Sequence, residues 1–419
     1  MDQPSVFMIP LASRMHRHRS VEPSKLAREL LEDAGLKVFG RVEPAMKVDD
    51  VPKFPVEEYD AVTVFIASGG TSEMAARIAK DAPYFIWAYD ETNSLASALS
   101  VREKLKRIDA WRGQIVYNSL DEAPSEVVSF AKASRLLKSV RGIKLGVICD
   151  EQYFSGIQDD GGRLQDLLGI NVVQVADEEL LNELGKVGEE EAAKVVDKFS
   201  SATVVEPSKK EILKASKMYL ALRSIVKKCG LDALTLDCFK ALKRTGASTC
   251  MAFSLLNDDG KVAACEGDLK ATMLMLIFQR LSGSSWMGNL VQVSSDLNVA
   301  TFAHCTAATT LAEPGGTIIL RSHFESGESV SLDVPLKRQR VTVANLQFQP
   351  FQLIVARGEV IESQVGKFSL CRTQVKVKLS GDVGKLLQYT GNHHVLAYGD
   401  WVDTLRCVAK NLGMPMLEI

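Results

Sequence analysis

Apolar residues along the first 140 positions come in short β-rich runs separated by amphipathic stretches, the alternation of a doubly wound sheet. The runs at 5–9, 36–41, 61–67, 84–87 and 114–117 read as strands, and those at 23–34, 71–80 and 94–107 as helices. A segment at 119–138, helical after Pro124, leads to a second alternating stretch. Its expected strands are 143–149, 171–176, 202–205, 233–236, 250–256 and 262–265, with a charged surface helix at 177–199. The long helix at 209–229 carries Ile212, Ala215, Met218, Leu222 and Ile225 at helical spacing. Beyond residue 290 the helical patterns give way to β-rich runs at 317–320, 329–334, 340–344, 351–356 and 374–379, closed by one helix at 401–412. The pattern predicts two doubly wound α/β domains followed by a β-rich C-terminal domain, divided as 1–141, 142–285 and 286–419.

Composition narrows the function classes. Fifty basic side chains against 52 acidic ones leave no cationic excess for phosphate backbones, so no nucleic-acid partner is expected. No apolar run approaches the roughly 20 residues that span a bilayer. The short apolar stretch at 6–12 is followed, not preceded, by basic residues, which argues against a secretory signal. Eight cysteines form no C-x-x-C pair and sit mostly in apolar runs, the usage of reduced, buried thiols in a cytoplasmic protein.

The run Ala264-Cys265-Glu266-Gly267-Asp268-Leu269 is the most informative. A strand ends at Cys265 or Glu266 and a helix starts near Leu269, so Glu266 stands at the carboxyl end of a strand, where open α/β sheets bind ligands. Asp268 reads as the helix N-cap. His304 lies in Phe302-Ala303-His304-Cys305-Thr306, and His393 and His394 in the run from Gly391 to Asp400. In an extended segment the last two face opposite sides, so one of them reaches a given site. A carboxylate and two histidines from distant segments suit a divalent ion, although their spacing is not a metal signature. Ser68, Gly69 and Gly70 open a strand-to-helix connection whose backbone N–H groups face an anion or a sugar hydroxyl, or simply make a tight turn. The basic cluster from Arg14 to Arg19 is either a solvated loop or a contact for a charged substrate. Arg372 either pairs within the β-rich domain or touches substrate.

Taken together, the acidic run at 264–269, Trp286-Met287-Gly288-Asn289, the His304 run, Cys371-Arg372-Thr373-Gln374-Val375 and the run at 391–400 resemble the L-fucose isomerase and L-arabinose isomerase superfamily. The likeness is strongest to its short, L-fucose isomerase-like branch. It implies a metal-dependent aldose–ketose isomerase acting on a carbohydrate through an enediol, with manganese as the most expected ion and a homotrimer or homohexamer as the assembly. By motif, Glu266 and His393 match two metal ligands and His304 a third. Asn289 falls where the family has a second carboxylate, and it has an oxygen able to coordinate but no proton to exchange near neutral pH. Glu266 is then the catalytic base, and its partner is sought among Asp268, His394, Asp237, Asp296 or a metal-bound water. The resemblance also makes Trp87 and Asn93 candidate substrate contacts beside Ser68, Gly69 and Gly70. The altered carboxylate leaves two other readings open: carbon–carbon cleavage or transfer on a sugar-like substrate, and a sugar-binding protein without turnover.

Overall fold

The first sheet is parallel throughout and runs β2-β1-β3-β4-β5, built from β1 (Ser5–Leu11), β2 (Lys37–Gly40), β3 (Ala61–Ile66), β4 (Phe85–Tyr89) and β5 (Gln114–Asn118). Its three central strands are buried on both faces. Val6 and Met8 enter one core with Leu31 and Trp87, while Phe7 and Ile9 enter another with Val64, Ile86 and Val101. Two cores on one sheet are what helices on both faces require, here α1 (Arg17–Asp33), α2 (Ser72–Ala79), α3 (Ser94–Arg107) and α4 (Ser125–Val140). The first helix starts earlier than its apolar pattern suggested and holds Pro23 inside it. Arg17 to Arg19 are therefore helical, and Arg14 to His16 form a short 3-10 turn, so the basic cluster is not a loop. The computed structural model describes residues 3–51, 55–79 and 84–419; Lys80, the expected end of the second helix, lies outside them. By internal contacts the chain divides into one unit of 1–138 with 403–408 and another of 139–402 with 409–419.

The second unit opens with a parallel sheet in the order β10-β9-β6-β7, from β6 (Lys144–Cys149), β7 (Asn171–Ala176), β9 (Ala233–Leu236) and β10 (Val262–Ala264). Around it lie α5 (Glu151–Gly156), α6 (Gln158–Leu168), α7 (Asp177–Lys186), α8 (Glu189–Val196), α9 (Lys209–Cys229), α10 (Cys238–Thr245), α11 (Cys250–Asp258) and α12 (Leu269–Ser282). Two expectations fail here. The run at 250–256 is the helix α11, not a strand, because each of its residues to Leu256 is buried and a uniformly buried short run carries no period to distinguish the two. The charged helix expected at 177–199 is two helices, interrupted at Val187 and Gly188, with a 3-10 turn at the end.

The remaining strands build a seven-stranded sheet, β15-β18-β11-β12-β17-β16-β19. They are β11 (Trp286–Ser294), β12 (Val299–His304), β15 (Arg340–Phe348), β16 (Phe351–Ser363), β17 (Thr373–Leu379), β18 (His393–Tyr398) and β19 (Met416–Glu418). Antiparallel pairing of β15 with β16 closes six of these strands on themselves into a barrel-like form, and the short β19 adds to β16 in parallel as an edge strand. A small sheet joins β8 (Thr203–Val204) to β13 (Ile319–Arg321) and β14 (Ser331–Asp333). The remaining helices are α13 (Gly384–Tyr389) and α14 (Val402–Asn411). The class is thus mixed α/β, with parallel doubly wound sheets and an antiparallel C-terminal sheet. Helix α12 leaves the parallel sheet and packs on β15 and β18, which carries the carboxyl end of β10 to the barrel-like sheet.

Candidate metal centre

Glu266 sits in the turn between β10 and α12, with a left-handed backbone (φ 61°), and Gly267 follows in the same region (φ 68°). A non-glycine residue there is uncommon and costs on the order of 1–2 kcal/mol. The turn is pinned by the Gly267 N–H, which donates to Leu236 O at the end of the neighbouring strand. Backbone geometry, not a long side-chain reach, aims the carboxylate.

Asp268 caps α12. Its Oδ1 accepts from the backbone N–H groups of Lys270 (2.9 Å) and Ala271 (3.0 Å). Its Oδ2 is 2.9 Å from His393 Nδ1. A carboxylate at Nδ1 fixes the ring proton there and leaves the Nε2 lone pair free to bind a metal, the arrangement that orients many metal-ligating histidines. His393 Nε2 lies 3.3 Å from Glu266 Oε2 and His304 Nε2 3.6 Å from Glu266 Oε1, with the two imidazole centroids 5.9 Å apart. Among the described residues, Glu266, His304 and His393 form the group whose donor atoms converge closely enough for one ion, all within 4.8 Å of one another.

The donors come from adjoining strands. Asn289 on β11 is the register partner of His393 on β18 and of Ala303 on β12, the residue before His304. Asn289 Oδ1, His304 Nε2 and His393 Nε2 are all buried without a hydrogen-bond partner, a costly state that a bound cation relieves. Two nitrogens and two oxygens suit a divalent first-row ion. The two histidines differ, however. His304 Nδ1 accepts from the Cys305 N–H at 3.0 Å, which favours the proton on Nε2; for Nε2 to coordinate, that proton must move to Nδ1, where Thr306 Oγ1 at 3.3 Å can accept it. His393 is the better prepared ligand.

Electrostatics follow from this packing. His304 and then His393 hold the Glu266 carboxyl well below the usual carboxylate range. Burial alone would discharge His393, but the Asp268 and Glu266 carboxylates outweigh it and raise its pKa to about 9. Burial also opposes ionisation of Asp268, yet His393 and the Ala271 N–H keep its pKa below normal. His394 points to the other face, packed on Phe302 (centroids 5.2 Å apart), and burial lowers its pKa to about 4, so it is neutral at physiological pH.

The other sequence candidates lie as follows. Asp237 caps α10 through Phe239 and Lys240, and Asp296 is exposed in the turn joining β11 and β12. Arg372 is buried, donating to Ser322 O (2.8 Å) and Ser322 Oγ (3.1 Å). In the first unit, Ser68 Oγ accepts from the Ser13 N–H, the Gly69 N–H donates to Thr92 O, and Gly70 and Asn93 have left-handed backbones. Trp87 is fully buried with its indole N–H on Asn118 Oδ1. Two features went unseen in the sequence. One is the second task of Asp268 in orienting His393, since the N-cap pattern accounts for only one of its oxygens. The other is Tyr153, whose hydroxyl lies 3.4 Å from Gly267 O over the Glu266 turn. Its available signal was Asp150 after β6, which caps α5 by accepting from the Tyr153 N–H.

Comparison with known proteins bears on this site. Residues 159–284, which include Glu266 and Asp268, match the L-arabinose isomerase central domain. The chain is 25% identical over 295 residues to a sulfoquinovose isomerase of Priestia aryabhattai, covering 67% of this chain and 65% of that relative. It is 25% identical over 377 residues to one of Alkalicoccus urumqiensis (80% of each chain) and 23% identical over 341 residues to one of Clostridium sp. strain MSTE9 (77% and 75%). The chain thus spans just under two thirds of the length of the first of these relatives. No helix among the described residues is long and apolar enough to cross a membrane. Over residues 159–284 the likeness is thus to an L-arabinose isomerase domain, and over two thirds or more of the chain it is to sulfoquinovose isomerases at 23–25% identity.

Proposed function

We propose that this protein is a metal-dependent aldose–ketose isomerase of a sugar, from the short L-fucose isomerase-like branch, with Glu266, His393, His304 and Asn289 holding a divalent ion, manganese first. The observation that carries the reading is His393, tied through Nδ1 to Asp268 and presenting an orphaned Nε2 to Glu266. When bound, such an ion polarises the carbonyl and adjacent hydroxyl oxygens of a sugar. Glu266, kept ionised by its two histidines, accepts the proton from the carbon next to the carbonyl and returns it to the carbonyl carbon. Asp268 orients and His394 stays out of the reaction. Ser68, Gly69, Gly70 and Asn93 remain proposed substrate contacts, and a homotrimer or homohexamer the proposed assembly, on the resemblance alone. The names of the relatives make sulfoquinovose the first substrate to try.

The test is solvent exchange. Protein loaded with manganese is incubated in deuterated water with sulfoquinovose, L-fucose and L-arabinose, and deuterium at the carbons flanking the carbonyl is read by NMR. Incorporation together with ketose formation is expected, and Glu266→Gln should abolish both. Incorporation with chain cleavage instead of a ketose would favour the lyase reading. Sugar binding without any incorporation would favour a binding protein, to which the uncharged Asn289 lends its support.

A further inference from the structure

The parallel sheet of the second unit has a point where its connections part. From β6 the chain passes through α5 and α6 to β7 on one side, and from β9 through α10 and α11 to β10 on the other. Crevices between strand ends that part in this way are where open α/β sheets take their ligands. A cavity of about 180 Å³ lies at the carboxyl ends of β6 and β9. The buried Ile148, Leu180, Leu236 and Ala241 give it an aliphatic floor, and Asp150, Tyr153, Asp177, Asp237, Lys240 and Arg244 a polar rim. Glu266, His304 and His393 do not line it, so it is distinct from the metal centre. The two are neighbours through Tyr153, whose hydroxyl lies 3.4 Å from Gly267 O.

Ion pairs fix the rim without using up its polar atoms. Lys240 Nζ lies 2.6 Å from Asp150 Oδ2 and 2.5 Å from Asp177 Oδ2, and Arg244 Nη1 is 3.1 Å from Asp177 Oδ2. An ammonium has three N–H donors, so one of those on Lys240 remains for a ligand. Asp237 spends Oδ1 on the Phe239 and Lys240 N–H groups at the start of α10, and among the described residues its Oδ2 has no partner. The Tyr153 oxygen donates its hydrogen towards Gly267 and can still accept one.

Charge then selects the ligand. A phosphate or sulfonate would settle on the helix N-termini that face such a crevice, but α5 and α10 start behind the carboxylates of Asp150 and Asp237. Three acidic side chains on the rim outnumber two basic ones, so an anion is repelled. A cation gains little, because Asp150 and Asp177 are already paired with Lys240 and Arg244. An ammonium N–H, a carboxylate oxygen and a phenol oxygen above an aliphatic floor suit an uncharged ring with a C–H face and hydroxyls around its edge. The volume is well below the roughly 300–1,000 Å³ of pockets for drug-sized ligands, which limits the occupant to a single ring. We propose that this cavity is a second sugar site, which binds an uncharged pyranose through Asp237, Lys240 and Tyr153 and without a metal ion.

The test needs no turnover, so it stands apart from the isomerase reading. Ion-free protein is titrated calorimetrically with the methyl glycosides of D-glucose, D-galactose and D-mannose, which have no free carbonyl to isomerise. At least one should fill a single site with a Kd of about 1 mM or tighter. Added manganese should leave that Kd within about twofold, and the 6-phosphate of the same glycoside should bind about tenfold more weakly or worse. Asp237→Asn keeps a side chain able to cap α10 but loses the charged acceptor, and should weaken binding roughly 10- to 100-fold. Ala241→Phe fills the cavity and should abolish binding in a variant that still melts cooperatively; if it does not fold, Asp237→Asn decides. No saturable binding by any of the three glycosides, binding that requires manganese, equal affinity for the 6-phosphate, or native affinity in Asp237→Asn overturns the proposal.

Discussion

Asp268→Asn separates the two tasks of one carboxylate. Asparagine caps helices about as well as aspartate, so its carbonyl oxygen keeps the Lys270 and Ala271 N–H groups and α12 should start as before. The amide nitrogen then faces His393 Nδ1 across what is now a 2.9 Å contact. Two donors cannot share it, so the ring moves its proton to Nε2, the atom meant to coordinate. Loss of such an orienting partner typically costs 10–100-fold in metal affinity, about 1.4–2.7 kcal/mol. Calorimetric titration of ion-free protein with manganese should show that loss in Asp268→Asn, with the melting temperature of the ion-free protein changed far less than in Asp268→Ala. The alanine variant also loses the cap, a further cost of about 1 kcal/mol. Affinity for manganese within twofold of the native protein in Asp268→Asn would refute the orienting role, and with it the argument that His393 is the prepared ligand.

Other outcomes follow from the same geometry. His393 has a raised pKa, so in the ion-free protein its charge contributes stability fully below about 6.5 and loses it as pH rises through about 9; a metal must displace that proton, and its affinity should rise about tenfold per pH unit between pH 7 and 9, where a flat profile in the same titration would contradict the assignment. Asn289→Asp should tighten manganese binding, read by competition with a chelator, because it turns an orphaned amide oxygen into a charged donor beside His393. Asp333 is 4% exposed and burial raises its pKa to about 6 from 3.8; an acid shifted upward destabilises the fold increasingly as pH climbs between those values, so Asp333→Asn should stabilise the protein by up to about 3 kcal/mol in denaturant melts at pH 7.5 and by much less at pH 4. Gly267→Ala should destabilise by roughly 1–2 kcal/mol, since its backbone is left-handed and the new methyl would sit 2.3 Å from the Tyr153 hydroxyl, seen as a lowered unfolding midpoint.

Much of the parallel architecture was legible because those strands are continuous apolar runs and their helices keep a clear period. Where burial is uniform, as in 250–256, the period vanishes and with it the means of telling helix from strand. Glu266 was legible from its place after an apolar strand, and Asp268 from its capping position. The pairing that sets Asn289 beside His393 was not, because it depends on β11 and β18 meeting across an antiparallel sheet, and register between distant strands is written in no local pattern.

The donors on β11, β12 and β18 stand on three hydrogen-bonded neighbours of a sheet closed by its β15–β16 pairing, and the fourth is set by a pinned turn. A rack of this kind exists before any ion arrives. Loading should therefore order almost nothing: binding should release freedom only in the water it displaces, and both the gain in melting temperature and any slowing of amide exchange along these strands should follow simple mass action on the folded state. A chelator would then silence the protein without unfolding it, and adding the ion back would restore it at the speed of diffusion into a site already built.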